Sequence, residues 1–359
     1  MAFARSGSSG KLRVGVVGAG FGEAVHVPAF RAHPRCEVTA ICASTIEKAR
    51  AVAARLNVPR AHRSWQDLIT DAEVDAVAIA LPTTLQPEVA LAALELGKPT
   101  FAEKPLADSL SDALHLAQVA AQAGVANMVD FEFLDIPTWQ RAAASLAAGS
   151  VGRLRHLVVN WQVESYAHRA GLQNWKLSRS GGGGTLNSLV SHCFYYVEQM
   201  AGPVTGVTAR LSGTPGDVRT GDALDALVLD LASGATAVLC VSTQSFAGSG
   251  HRVEFYGDAG TMVLENPTKD YVRGFTLRRG TRKEGSLTEV ALPAPREDIW
   301  PNDGRIYVVS RLAARFVDWA LGGSPGRPDF RDGARVQLLI DAARRSDAAG
   351  ARVTVPANA

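Results

Sequence analysis

The stretch VGVVGAGFGEAVHVPAF, residues 14 to 30, opens on an apolar strand and runs without a break into a turn with glycines at 18, 20 and 22. In such a turn the first glycine makes the bend. The second lets backbone N–H groups at a helix start approach a pyrophosphate. The spacing departs from the usual G-x-G-x-x-G, because the sixth position is Glu23 and the last glycine comes one place early, at Gly22. Taken alone, this stretch could equally be a tight turn and nothing more.

What surrounds it decides. LRVGVV reads as a buried strand, EAVHVPAFRAH as a helix ending by Pro34, EVTAIC as a second strand and IEKARAVAARL as a second helix. VDAVAIAL is almost free of polar residues, as expected of a parallel strand covered on both faces. The helix PEVALAALELG, the strand end PTFAEKP, the helix SDALHLAQVAAQAG and the strand VANMVDF follow. This alternation predicts a doubly wound parallel sheet over residues 11–128, a Rossmann-type dinucleotide-binding domain.

From residue 129 the texture changes. RHLVVNWQVESY, VTGVTARLSG, ALVLDLASGATAVLCVST and RVEFYGDAGTMVLE read as longer strands, with DLASGAT and YGDAGT as hairpin turns. Two helices close the chain, GRIYVVSRLAARFVDWALGG and DGARVQLLIDAARRSDAAG. Residues 129–359 are therefore expected to form an α+β domain on a large, mostly antiparallel open sheet, giving an α/β protein of two domains. MAFARSGSSG, residues 1–10, has no apolar core segment and is expected to be a disordered tail rather than a signal peptide.

The 359 residues carry 37 basic and 35 acidic side chains, a net charge of +2 with both signs interspersed. No basic stripe is present to track a phosphate backbone, so nucleic acid is not an expected partner. No apolar run reaches the ~20 residues of a membrane span. Cys36, Cys42, Cys193 and Cys240 lie far apart, with no disulfide or metal-ligand spacing. They read as the reduced thiols of a cytoplasmic protein, and no metal is expected.

The end of the second strand bears on the cofactor. A carboxylate ~20 residues past the glycines normally holds the ribose hydroxyls of NAD, but here the strand runs into Ala43, Ser44 and Thr45, with Lys48 and Arg50 beyond. Hydroxyls beside cations suit a 2′-phosphate, which favours NADP over NAD. Ser44-x-x-Glu47 is also a capping box that would start the helix with no ligand at all.

Three stretches together resemble the Gfo/Idh/MocA oxidoreductases, named for glucose-fructose oxidoreductase, inositol dehydrogenase and a rhizopine-catabolism protein. They are the glycine turn, ALPTTLQPEVALAALELGKPTFAEKP (residues 80–105) and GGGGTLNSLVSHCFYY (residues 181–196). The C-terminal DFRDGARVQLLIDAARRSDAAGARVTV fits as well, so the resemblance spans nearly the whole chain. It implies a sugar, nucleotide sugar, inositol or related polyol as substrate, and oligomerisation as a dimer or tetramer through the C-terminal sheet.

FAEKP places Glu103, Lys104 and Pro105 at the carboxyl end of a parallel strand, where ligands bind such sheets. An ammonium fixed there can hydrogen-bond the reacting oxygen and stabilise charge developing during hydride transfer. The resemblance implies that Lys104 does this and that its bond to Pro105 is often cis. On the helix NSLVSHCFYYVEQMAG, capped near Asn187 or Ser188, His192 matches the family's acid/base histidine. The family often has an aspartate four residues earlier, where this chain has Ser188, which cannot act as a base near neutral pH.

Gly18, Gly20, Phe21, Gly22, Ser44, Thr45, Lys48, Pro82, Thr83, Gln86, Glu103 and Lys104 are thus the expected cofactor residues. The resemblance places Pro82, Thr83 and Gln86 on the nicotinamide ribose side, the first two standing where the family has Pro-Asn and the third where many members have His. Trp161, Tyr166, Trp175, Asn187, Ser188, His192 and Tyr195 are the expected substrate residues. His168, Arg169, Asn174 and Lys176 add donors beside the aromatic ones, although aromatic residues on a sheet face equally suit an oligomer interface. The expected activity is NAD(P)-dependent dehydrogenation or reduction at a CH–OH group, with Lys104 and His192 at the reacting oxygen. Two rivals stand beside it: a non-redox enzyme that cleaves or eliminates a glycoside through transient oxidation at bound NAD(P), and a non-catalytic nucleotide-binding regulator.

Overall fold

The computed structural model of the protein describes residues 10–292 and 303–357; the expected tail lies outside them except for Gly10. The chain divides into two compact units. One runs to Glu132 and is taken up again in a segment ending at Gln337; the other starts at Phe133 and resumes at Leu338.

The first unit is built on six parallel strands, β1 (Leu12–Val17), β2 (Cys36–Cys42), β3 (Arg60–His62), β4 (Ala76–Ile79), β5 (Thr100–Ala102) and β6 (Asn127–Val129), in the order β3-β2-β1-β4-β5-β6. Val14, Val16, Ile41, Val77, Ile79 and Phe101 are completely buried, as strands covered on both faces require. The order reverses between β1 and β4, and it is outside the carboxyl ends of strands at such a reversal that ligands bind. The helix Ile46–Leu56 follows β2 with the bounds the sequence predicts. The short β3 and the helix Trp65–Thr70 were not expected; each is too brief to carry a periodicity.

The helix Arg305–Ala320 belongs to this first unit, whereas the sequence reading placed everything after residue 129 in the second. Its Phe316 packs edge-on against Phe30 and Phe101, at centroid distances of 5.9 and 5.7 Å. The chain thus returns to complete a core begun nearly 300 residues earlier, a relationship that local patterning cannot reveal.

The second unit carries a nine-stranded mixed sheet. Its strands are β7 (Leu154–Gln162), β8 (Val204–Ser212), β9 (Leu224–Leu231), β10 (Thr236–Ser242), β11 (Gly250–Gly257), β12 (Gly260–Asn266), β13 (Thr276–Thr281), β14 (Thr288–Glu289) and β15 (Val353–Thr354). The order is β14-β13-β12-β11-β7-β10-β9-β8-β15. Only β7 and β10 pair in parallel; the other pairings are antiparallel. Along β9 the alternation is strict, with Leu227, Leu229 and Leu231 buried and Leu224, Ala226 and Val228 exposed. Across the ladder Val228 faces Val238 and Ala226 faces Cys240, so one face presents a row of small apolar side chains.

Candidate functional site

The three glycines of the opening turn have three different reasons to be there. Gly18 sits at φ +117°, and a Cβ on it would meet the Ala80 carbonyl oxygen at 2.2 Å, so only glycine lets β1 leave the sheet beside β4. At Gly22 a Cβ would press on Val16 at 2.9 Å, which closes the following helix onto the strand. Around Gly20 there is open space within 4 Å. It is this exposed backbone, at the switch point and just before a helical turn, that fits a pyrophosphate. Phe21 lies under the Arg305 guanidinium, 5.1 Å from its ring centroid, and edge-on to His26 at 5.4 Å.

At the end of β2, Ser44, Thr45, Lys48 and Arg50 are all exposed. The helix is capped one residue later than expected: Thr45, not Ser44, accepts from the Lys48 backbone N–H at 3.2 Å. Ser44 is thereby left out of the cap.

The Glu103–Lys104–Pro105 turn leaves β5 with a cis Lys104–Pro105 bond. Gln86 grips it. The Gln86 side-chain amide donates to the carbonyls of Glu103, Pro105 and Leu106 at 2.6, 3.2 and 3.1 Å, and its oxygen accepts from the Glu103 N–H at 3.0 Å. Expected beside the nicotinamide ribose, Gln86 is instead completely buried, with both ends of its amide engaged by the chain itself. Its work is structural.

Glu103 meets His26, whose Nε2 lies 3.0 Å from Oε1, while the other carboxylate oxygen accepts from the Lys104 N–H at 3.3 Å. Asp130 Oδ2 lies 3.5 Å from the same histidine nitrogen. Burial alone would lower the His26 pKa, but the neighbouring Asp130 and Glu103 carboxylates outweigh it and raise it to about 9. Burial works against the Glu103 charge, yet His26 and Lys104 hold its pKa below the ordinary value. Asp130 and Glu132, both deeply buried beside other carboxylates, are pushed up to about 7 and about 8. The strand ends therefore gather three acids and two bases in one unit. Of these, sequence reasoning found only Glu103 and Lys104.

In the second unit His192 stands in the first turn of the helix Ser191–Ala201, directly after a π-helical turn over Leu186–Val190. The expected cap at Asn187 or Ser188 is not there. The helical turn begins earlier, and the Leu186 N–H donates to Asp222 Oδ2 at 2.7 Å. The Asn187 amide donates to the Gly182 carbonyl at 2.9 Å and its oxygen accepts from Arg344 at 3.2 Å. Asn187 thus ties the glycine loop to the C-terminal helix. The loop is close-packed: a Cβ at Gly183 would lie 2.3 Å from the Trp175 carbonyl oxygen, and one at Gly184 (φ +108°) 2.4 Å from Asp222.

Two aromatic rings lie against His192. Phe133 lies edge-on at 4.9 Å and Trp161 tilted at 6.3 Å. Trp161 is 1% exposed and stacks flat on His251, centroids 4.0 Å apart and planes within 4°. It is therefore wall rather than substrate surface, which corrects the expectation for this residue. Tyr195 is buried at 7%, whereas Tyr166 and Trp175 remain open to solvent at 68% and 40%.

Comparison with known proteins agrees with this architecture. Residues 12–131 match the profile described as "Oxidoreductase family, NAD-binding Rossmann fold", and residues 139–263 match the GFO/IDH/MocA C-terminal domain. An uncharacterised oxidoreductase of Synechocystis sp. is 32% identical over 365 residues, covering 97% of each chain. Levoglucosan dehydrogenase of Pseudarthrobacter phenanthrenivorans is 26% identical, over 96% of this chain and 98% of that protein. The solved structure of a levoglucosan dehydrogenase in complex with NADH and levoglucosan superposes with a TM-score of 0.87 at 23% identity, over 96% and 100% of the two chains, and so shares the fold. No helix among the described residues is long and apolar enough to cross a membrane. With its glycine turn, its Glu-Lys-Pro strand end and both domains matched, this chain belongs to the Gfo/Idh/MocA family of NAD(P)-dependent dehydrogenases and reductases.

Proposed function

We propose that the enzyme transfers hydride between NAD(P) and a secondary alcohol or ketone of a sugar-like polyol, with NADP preferred. The observation that carries this is the immobilised Glu103–Lys104–Pro105 turn, gripped on its main chain by Gln86 and on its carboxylate by His26. A lysine rooted in so fixed a turn suits a partner whose charge changes during reaction. The nicotinamide, when bound, supplies the hydride chemistry. Gly20 offers its backbone to the pyrophosphate, and Ser44, Thr45 and Lys48 face the 2′-phosphate. Lys104 polarises the reacting oxygen, and His192 exchanges its proton with solvent. Tyr166 and Trp175, open to solvent, are the aromatic surfaces for sugar.

The exposed apolar row on β9 and β10 is the surface through which we propose the chain assembles as a dimer or tetramer. Four free cysteines accord with a reducing, cytoplasmic setting. The test is a fluorescence titration with NADPH and NADH followed by single-turnover assays on a panel of keto-sugars and polyols, levoglucosan among them. Consumption of cofactor that Lys104→Ala abolishes supports the reading. Tight binding without consumption across the panel favours the non-redox or regulatory alternatives. Absence of dinucleotide binding ends all three.

A further inference from the structure

We propose that His26 is the positioning residue for Lys104, holding the Glu103 carboxylate by Nε2 so that the carboxylate's second oxygen fixes the Lys104 main chain. This inference rests on the reading of Lys104 as the group at the reacting oxygen.

The geometry is a short relay inside one unit. His26 Nε2 lies 3.0 Å from Glu103 Oε1, and Glu103 Oε2 lies 3.3 Å from the Lys104 nitrogen. His26 is 0% exposed and its ring is walled edge-on by Phe21, Phe30 and Phe101, at 5.4, 6.4 and 5.4 Å. With its plane set by three aromatic neighbours, the imidazole presents its Nε2 to the Glu103 carboxylate at 3.0 Å, with Asp130 Oδ2 next at 3.5 Å. The groups that bear on its charge are Glu103 and Asp130; Lys104 acts in turn on Glu103, and Glu132 interacts with both carboxylates. A buried carboxylate that loses its donor must rotate toward water or take up a proton. Rotation takes the acceptor from the Lys104 N–H, and protonation weakens it. His26 comes from the π-helical turn that follows the glycine loop. Such a turn inserts one extra residue locally, and π-turns recur where a side chain must be aimed.

Two measurements on the intact enzyme test this without a known substrate. In ¹⁵N-histidine-labelled protein, the resonance that His26→Gln removes is expected to show a proton on Nε2 at neutral pH; a bare Nε2 with the proton on Nδ1 overturns the proposal. In hydrogen exchange, His26→Phe is expected to speed exchange at the Lys104 amide by about tenfold, the loss of one hydrogen bond. His26→Gln, which returns a donor near the Nε2 position, is expected to recover most of that protection. Faster exchange spread evenly over the unit, or no rescue by glutamine, would mean that His26 only fills space, and overturns it too. So would stoichiometric zinc in the purified enzyme that Glu103→Gln removes. If the Phe variant does not fold, the wild-type resonance and the Gln variant still decide. Turnover surviving in Lys104→Ala would instead sink the catalytic reading of Lys104 and leave these results standing.

Discussion

Ser188 turns its hydroxyl back along its own helix and donates to the Gly184 carbonyl at 2.7 Å. The residue at the place where the resemblance leads one to expect an aspartate is thus engaged with the backbone, in the four-residue back-bond that serine makes readily in helices. It steadies the turn that presents His192. Ser188→Ala is therefore expected to cost about 1 kcal/mol of stability and to change kcat by less than about threefold. His192→Ala should lower kcat by about 100-fold or more, the usual worth of a positioned acid/base group. Paired denaturation and steady-state assays check both, and a large kcat loss in Ser188→Ala would make the hydroxyl a participant.

The glycine turn separates folding from binding. Gly18→Ala puts a Cβ against the Ala80 carbonyl at a backbone angle that side chains rarely adopt. It is expected to destabilise the protein by at least about 1–2 kcal/mol. Gly20→Ala meets open space, so its melting temperature should stay near wild type while the NADPH Kd rises about tenfold. Thermal melts beside fluorescence titrations distinguish these. If Gly20→Ala binds normally, the pyrophosphate lies elsewhere.

Cofactor choice is predicted at the end of β2. Because Thr45 alone caps the helix, the Ser44 hydroxyl is available for the adenosine ribose phosphate. NADPH should bind about tenfold more tightly than NADH, one charge-assisted hydrogen bond's worth. Ser44→Asp should reverse the order by repelling the phosphate and accepting from the ribose hydroxyls. Lys48→Glu should weaken NADPH while leaving NADH nearly unchanged. Equal affinities in the wild type would count against the phosphate reading.

Much of this site was readable because its signals are local. The turn at 18–22 and the Lys-Pro strand end each lie within a few consecutive residues, and the helix Ile46–Leu56 follows its own periodicity. What escaped is held together across the chain. His26 and Glu103 are 77 positions apart, and Leu186 and Asp222 are 36 apart. A histidine on an apolar helix looks the same in sequence whether it packs or aims. Gln86 shows the opposite error. The resemblance places it beside the nicotinamide ribose, yet its amide bonds the carbonyls of Glu103, Pro105 and Leu106 and the Glu103 N–H. Trp161 was misread for a related reason, since alternation along β7 fixes which residues share a face but not which face is covered.

The exposed row on β9 and β10 predicts assembly. Val228 and Val238 stand opposite each other and are 43% and 41% exposed, with Ala226 and Cys240 alongside. Contiguous apolar surface of this kind marks a contact site in a protein that stays in solution. Val228→Lys combined with Val238→Lys should lower the mass seen by light scattering to that of the single chain, without loss of helical or strand signal. A wild-type mass already equal to one chain would remove the proposal.

The last prediction concerns acid. His251 stacks on Trp161 and is buried, and burial lowers its pKa to about 3. Tyr196 lies 3.1 Å from its Nε2, and the Tyr196 hydroxyl donates to Cys193 at 3.0 Å, so a neutral ring is part of a packed polar trio. The unfolded chain carries an ordinary histidine near ~6.5. Between those values the unfolded state binds a proton that the native state does not, so stability rises with pH across that window. The contribution is complete above ~6.5 and is lost as pH falls toward about 3. Denaturant midpoints measured from pH 7 down to pH 4 should therefore drop, and they should drop less steeply in His251→Phe. That variant keeps the aromatic stack but cannot take up the proton. It starts lower at pH 7, because the ring no longer meets Tyr196, and the two curves converge as the acid limb removes the wild type's advantage. Parallel curves would show that the acid sensitivity arises at other groups.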